Sequence, residues 1–350
     1  MESLGDLGDS LPVVKLSPIK VFYNHLYQTE PVYAKLKDLK DRGWKSTKGD
    51  EYFKNRRQRA DTVSKHAAAR FYQMMKEIGD EMQLEKKAFT QDKRNGGDFQ
   101  ILGLCMAPGG YTYSALKYNK GSKAWGITLP TSQGGHEVIL QCPASNVLQE
   151  DITMFATEFG VDEIPVNHPA RDTFKAERPF IDQEFDLVIC DGQVLRSHER
   201  PEYREATEAT RLTTSQLILA LQRIRQGGTM IMLLHRIEAM DTLELLYTFS
   251  RFSDIEVFKP VKKHAIKSTF YLIARNVQPD AEAAKEAVGT WKMAWWNATF
   301  GGDEGKGAGR VALDDGYAQS IIDSFACRFT ELAKPIWSIQ LEALRKSEFV

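Results

Sequence analysis

The sequence predicts a doubly wound α/β fold, with a mostly parallel sheet of seven strands and helical extensions at both ends. Three observations carry this. Seven apolar, strand-like runs recur between Phe99 and Ala274. Helix-like segments fall between several of them, the rhythm of β-α alternation. Runs such as "DLVICDG" and "TMIMLLH" are apolar at nearly every position, which suits strands buried on both faces beneath helices.

Taken in order, the first 20 residues are rich in Gly, Ser, Asp and Pro and read as a flexible N-terminus. Residues 21–96 read as a helical region. Within it "ADTVSKHAAARFYQMMKEIG" sets Val63, Ala67, Phe71, Met74, Met75 and Ile78 near one stripe, and Gly79 supplies a stop. "QDKRNGGDF" is a breaker-rich connection. Strands are expected at 99–106, 123–129, 146–150, 185–190, 229–234, 254–258 and 269–274, with helices at 110–118, 213–226 and 241–252. This unit spans residues 97–276. Beyond it, residues 277–350 lose the strand rhythm and read as a helical extension, with "FGGDEGKGAGR" a loop and 317–345 a helix.

Composition narrows the function. The 350 residues are 42% hydrophobic and 27% charged, ordinary for a globular chain. Lys+Arg at 46 against Asp+Glu at 47 gives a net charge of -1, so any nucleic-acid contact must come from a local patch. Cys105, Cys142, Cys190 and Cys327 include no CxxC pair, which argues against a disulfide framework or a metal site. Neither a secretory leader nor an apolar run near the ~20 residues of a membrane span is visible. The expectation is an intracellular protein of cytoplasm or nucleus, neither secreted nor in contact with a membrane.

The chemistry-bearing stretch is "LCMAPGGYTYSAL", between a strand and a helix. In an open α/β sheet the first such turn is the usual cradle for a cofactor. Gly109 and Gly110 permit close backbone approach, and Pro108 stiffens the turn. The stretch is neither GxGxxG nor a Walker A loop, so the residues alone leave a tight turn and a cofactor cradle both open. "AWGITLP" puts Thr128 where a ribose-binding residue would sit. "LQEDIT" puts Asp151 at a strand end, where an acid can accept from an exocyclic amine.

Residues 99–276 resemble the FtsJ-like methyltransferases, a family that includes ribose 2'-O-methyltransferases of ribosomal RNA and mRNA caps. The family's "D-x-x-AAPGG-[FW]-[ST]" turn is matched by "GLCMAPGGYT", and its "D-x-[VI]-x-x-D" strand by "DLVICDG". "GGTMIML" partly matches the "GG-[ST]-φ-φ-φ-K" strand, and "KPVKKHAIKSTFYLIARN" echoes the late "KP…S" segment. "GITLP" is similar to the cap-type members. The resemblance implies a Rossmann-like methyltransferase fold and S-adenosylmethionine as cofactor. It implies a methionine end over Cys105, Met106, Ala107, Pro108, Gly109 and Gly110, with Tyr111 behind them. Ribose would lie near Thr128 and Leu129, adenine against Asp151 and Ile152, and Asp191 at the reacting end. No metal is expected.

A ribose hydroxyl is a weak acid, so methylating it needs a base or an oriented oxygen close to the donor. The family uses a Lys-Asp-Lys-Glu set. Asp191 matches its Asp, the alternative being a turn carboxylate ahead of Gly192. The other members are missing. Leu233 falls at one lysine and Thr269 near the glutamate; Met74 aligns with the first lysine, leaving Lys76 as its nearest candidate. Gly103 replaces the acid that opens the glycine motif. His235 is either a replacement base, since imidazole titrates near neutrality, or a strand-end histidine bonded to backbone.

Two basic clusters are candidates for RNA. One holds Arg56, Arg57 and Arg59 with Tyr52, Phe53 and Phe71 nearby; the other is Lys262, Lys263 and Lys267. Each also reads as a solvated face. "WKMAWWNATF" reads as a helix packing on the core rather than a stacking platform. The expected function is S-adenosylmethionine-dependent RNA ribose 2'-O-methylation with a degenerate catalytic set. The alternatives are an inactive binding or scaffolding descendant and a methyltransferase acting on a small molecule or protein.

Overall fold

The computed structural model describes residues 17–51, 54, 65–90, 98–142, 145–195 and 198–347. Its helices are α1 (Pro18–Thr29), α2 (Pro31–Trp44), α3 (Lys65–Lys86), α4 (Gly110–Tyr118), α5 (Glu208–Arg223), α6 (Met240–Ser250), α7 (Glu282–Phe300) and α8 (Asp315–Arg345). Its strands are β1 (Gln100–Leu104), β2 (Lys123–Thr128), β3 (Ser145–Gln149), β4 (Phe185–Cys190), β5 (Ile224–His235), β6 (Asp254–Phe258) and β7 (Thr269–Val277).

All seven strands form one sheet in the order β3-β2-β1-β4-β5-β7-β6. The first five run parallel, and β7 is antiparallel to both β5 and β6. The chain steps outward from β1 to β3, then returns to lay β4 on the other side of β1. That reversal opens a crevice beyond the carboxyl ends of β1 and β4, where α/β sheets bind ligands.

Side chains alternate between two layers. Leu102, Leu104, Val188, Cys190, Met232 and Leu272 face the core shared with α1, α2, α5, α7 and α8. Ile101, Leu187, Ile189, Ile231, Tyr271 and Ile273 face the core built with α3 and α4. The terminal helices are therefore continuous with the sheet's own core: Tyr33 of α2 meets Trp337 of α8 at 4.9 Å. The aromatic run of α7 divides as a packing helix should, with Trp295 buried and Trp296 exposed.

The main boundary difference from the sequence pattern lies where α5, expected at 213–226, runs Glu208–Arg223 and meets β5. β5 begins at Ile224, directly after α5, instead of at 229. Gly227 at φ +76 and Gly228, with no room for a Cβ beside Ile224, accommodate a register shift there. Between β3 and β4 the chain forms short 3-10 turns at Ile152–Met154 and Arg171–Thr173 and no α-helix. Among the described residues no helix is long and apolar enough to cross a membrane.

Candidate active site

The turn after β1 is built by mutual fitting of large and small residues. The Met106 N–H donates to Ile127 O (3.0 Å), and the Ala107 N–H to Thr128 Oγ1 (3.4 Å). The buried Met106 side chain lies across β1 and β2 and leaves no space for a Cβ on Gly103 (2.8 Å to Cγ) or Gly126 (2.6 Å to Sδ). Met106 thus fills the space that a side chain at position 103 would need. Cys105 takes a left-handed φ of 57° and Gly109 one of 99°, and the Ala107–Pro108 peptide is cis.

Gly109 caps α4 with no side-chain acceptor. The first amides of that helix have no intrahelical partner, and together with the helix dipole they suit a carboxylate. Over this turn folds the segment after β2: the Ile139 N–H donates to Pro108 O (3.1 Å), and Leu140 sits 2.8 Å from where a Gly109 Cβ would stand. Gly109→Ala is therefore expected to cost about 1–3 kcal/mol, from strained φ plus displacement of Leu140. Thermal melting checks the cost, and cofactor titration checks whether the cradle survives.

At the next strand end, Asp151 caps a 3-10 turn. Its Oδ1 accepts from the Thr153 N–H (2.9 Å) and hydroxyl (2.8 Å), and its Oδ2 from Arg204 (3.0 Å). Burial pushes Asp151 up, but Arg204 and the Thr153 donors outweigh it and hold the carboxyl below the usual range. Arg204 is shared with Glu208, while Arg211 is buried against Thr153 and Met154 and pushed down to about 10 by burial and Arg204. The indole N–H of Trp295 closes this knot on Thr153 O (3.2 Å). A carboxylate has about four acceptor positions, so Asp151 keeps capacity for an amine. Ile152 is buried behind it, Thr128 is buried at the end of β2, and Leu129 is half-buried beyond. The uncapped helix, the glycine cradle and this acid fit an amino-acid-bearing nucleoside such as S-adenosylmethionine.

Asp191 follows β4, its N–H on Leu104 O (3.2 Å). Gln216 of α5 clamps the next residue from both sides: the Gly192 N–H donates to Oε1 (2.8 Å), and Nε2 donates to Gly192 O (3.3 Å). Asp191 borders a hollow too small for water, lined with Met82, Phe89, Tyr111, Leu233 and Tyr271 among others. Burial pushes its carboxyl up to about 8. The Tyr111 and Tyr271 hydroxyls hydrogen-bond to each other. Burial raises both phenols, with the Asp191 charge adding to it. Leu233 pairs with Tyr271 across β5 and β7, and His235 with Thr269. An apolar side chain and a phenol thus occupy the ladder where the family pattern has its lysine.

The other candidate bases do not act on Asp191, whose carboxyl is shifted by burial alone. The Lys76 Nζ sits 4.1 Å from the ring centroid of Tyr113 and 5.5 Å from that of Tyr72. His235 ends β5 at the surface; loss of water around its ring and the Arg236 charge hold it below the usual imidazole value. Its further electrostatic neighbours are Glu238, Lys40 and Lys259, without Asp191. Lys263 pairs with Glu77 (3.1 Å), Lys267 contacts His264 (2.8 Å) and Lys262 is exposed. Arg56, Arg57 and Arg59, with Tyr52 and Phe53, lie outside the described residues.

Four site residues escaped the sequence reading: Gln216, Tyr271, Arg204 and Leu140. Arg204 sits in the charge-dense "PEYREATEATR", which looks like a solvated helix start. Gln216 and Tyr271 carry no motif, and only the register reveals them.

No curated protein matches the chain. Among solved structures, it is similar to a ribosomal RNA methyltransferase of Plasmodium falciparum at 17% identity, covering 58% of this chain and 96% of that one with a TM-score of 0.37. An rRNA methylase of Streptococcus thermophilus shares 11% identity over 52% of this chain and 88% of its own, with a TM-score of 0.30. The N-methyltransferase NodS of Bradyrhizobium japonicum shares 13% over 58% and 97%, with a TM-score of 0.35. The family model of the FtsJ-like methyltransferases matches residues 75–277, from α3 through β7. The chain belongs to the FtsJ-like methyltransferase family.

Proposed function

We propose that this protein binds S-adenosylmethionine in the crevice beyond β1 and β4, and methylates a ribose 2'-hydroxyl of RNA. The observation that carries the reading is the Asp191 carboxyl. It is pinned through Gly192 by Gln216, directly beside the glycine turn and apart from any lysine. The cofactor supplies an electrophilic methyl group on a sulfonium. The chain's residues do the rest. The α4 amides hold a carboxylate, Asp151 and Ile152 hold the base, and Thr128 and Leu129 border the sugar. Asp191 receives the acceptor hydroxyl.

Without a partner lysine, Asp191 is a neutral acid below about pH 8. A cation placed near it favours the charged form and brings its titration toward neutrality. As a carboxylate it accepts the hydroxyl proton. The proposal keeps residues 97–276 as the methyltransferase unit, with 21–96 and 277–350 as helical flanks. It places Lys262, Lys263 and Lys267 on the RNA side.

Isothermal titration with S-adenosylmethionine tests the first half, and tritiated methyl transfer to total RNA the second. Absence of binding heat at high ligand concentration removes the cofactor reading; binding without incorporation removes the acceptor reading. A second reading, a cofactor-binding protein without turnover, is favoured by Leu233 in the lysine's place and by Lys76 seated on two rings. Binding heat without transfer to any RNA selects it.

A further inference from the structure

We propose that Phe71, Tyr72 and Tyr113, with Lys76 among them, form a stacking platform for unpaired bases of a single-stranded RNA. The proposal rests on the RNA reading above and specifies the form of the acceptor.

The rings come from separate elements yet converge. Tyr72 of α3 meets Tyr113 of α4 at 6.2 Å, and Phe71 meets His136, from the segment after β2, at 5.5 Å. The Lys76 ammonium lies over both tyrosines. On α4, by contrast, Tyr111 is consumed by the core at 5% exposure, and the Tyr118 hydroxyl is held by Asp80 (3.0 Å). Tyr113 keeps 37%, and Phe71, Tyr72 and His136 stay half-buried.

Their position is tied to the candidate active site. Gly110 has no room for a Cβ because Met75 Cβ and Tyr72 O would lie 2.5 and 2.7 Å from it. The rings therefore stand within about one helical turn of the glycine cradle.

Charge follows the same strip. Glu77 is neutralised by Lys263 (3.1 Å) and Asp80 by Lys117 (2.9 Å). Arg70 and Lys76 form no ion pair among the described residues, and Lys262 adds its charge beside Glu77. A chain of net charge -1 thus sets a cation without an ion pair, Lys76, against these partly exposed rings. Rings stack on any base while cations hold the phosphates, and a duplex hides its base faces from such a surface.

Fluorescence anisotropy with a short labelled single-stranded RNA, and with the same strand in a duplex, tests this on the full chain. Tyr113→Ala is expected to weaken single-strand binding about tenfold, the effect of losing one stacked base. Tyr113→Phe keeps the ring and should bind as wild type, while the duplex binds weakly throughout. Thermal melting confirms folding, and Tyr113→Leu replaces the alanine variant if that one unfolds. Equal binding by the ring-deleted variant, or a duplex held as tightly as the single strand, overturns the platform. Methyl incorporation into RNA with ring-independent binding overturns the platform and leaves the RNA reading standing. Ring-dependent binding without incorporation supports the platform and removes the transfer reading. A wild type that binds no RNA overturns both.

Discussion

Asp191→Asn is expected to remove methyl transfer while making the folded protein more resistant to melting above neutral pH. A positioned acid or base contributes roughly 10²–10⁴-fold to a rate, and the hollow beside Asp191 offers no second carboxylate or amine to replace it. The stability effect has the opposite sign, and follows from linkage. Burial raises the Asp191 titration to about 8 from the ordinary 3.8, so between those values the folded chain holds a proton that the unfolded chain has released. Stability therefore falls as pH rises through that window, and the loss is complete above about 8. A neutral isostere escapes this loss. The variant should gain on the order of 2–5 kcal/mol over wild type near pH 9, with the gap closing toward pH 4. Parallel melts at the two pH values and a tritium-transfer assay read both effects. A variant that melts like wild type at both pH values contradicts the buried, unpaired carboxyl. A variant that still transfers methyl contradicts its role.

This coupling explains why the sheet was legible in the sequence and the catalytic set was not. Strand identity comes from short-range patterning: "DLVICD" is apolar on both faces because helices cover both, and β4 forms over those residues. The glycine turn was legible for a related reason. Gly109 needs a φ of 99°, and few residues other than glycine accept it. The boundary of β5 was less legible, since "QRIRQGG" carries helix-like polarity until Gly227 and Gly228 turn it into the sheet. The environment of Asp191 depends on residues far away in the chain. Tyr271 reaches it only because β7 inserts antiparallel between β5 and β6, opposite Leu233. No spacing rule within either segment encodes that pairing. Lys76 was legible as a nearby cation, but its direction is set by Tyr72 and Tyr113, which offer its ammonium two ring faces.

The residues around Asp191 and Asp151 each form a physical set. Leu233 stands opposite Tyr271, and the hollow they share with Asp191 is lined by phenolic and apolar groups and is too small for water. An unpaired buried ammonium would be costly there, as would an unpaired carboxylate. Only the acid remains, and it remains neutral near pH 7. Around Asp151 the compensation differs. The buried Arg204 is balanced by both Asp151 and Glu208, while Arg211 beside it has no carboxylate of its own and contacts Thr153 and Met154.

Trp295→Ala is expected to be the most destabilising single truncation in the C-terminal flank, and to loosen the cofactor's base end with it. Trp295 has no exposed surface and packs on Phe159 at 4.7 Å and Phe300 at 5.7 Å. Truncating such a side chain costs about 3–5 kcal/mol. Its indole N–H holds the carbonyl of Thr153, whose amide and hydroxyl in turn hold Asp151. Losing that donor leaves Thr153 O to the longer Arg211 contact at 3.5 Å. The Asp151 carboxyl, which the proposed function sets against the base, then loses its fixed orientation. Trp295→Phe keeps most of the packing and removes only the hydrogen bond, about 1–2 kcal/mol of stability. Both variants should bind S-adenosylmethionine several-fold more weakly at a temperature where each is folded. Melting curves give the stability difference, and titration calorimetry gives the affinity. If Trp295→Ala is destabilised yet binds cofactor as tightly as wild type, α7 only covers the core, and the base end is held by the sheet alone. If affinity falls in both variants, the flank beyond residue 277 is a working part of the cofactor site.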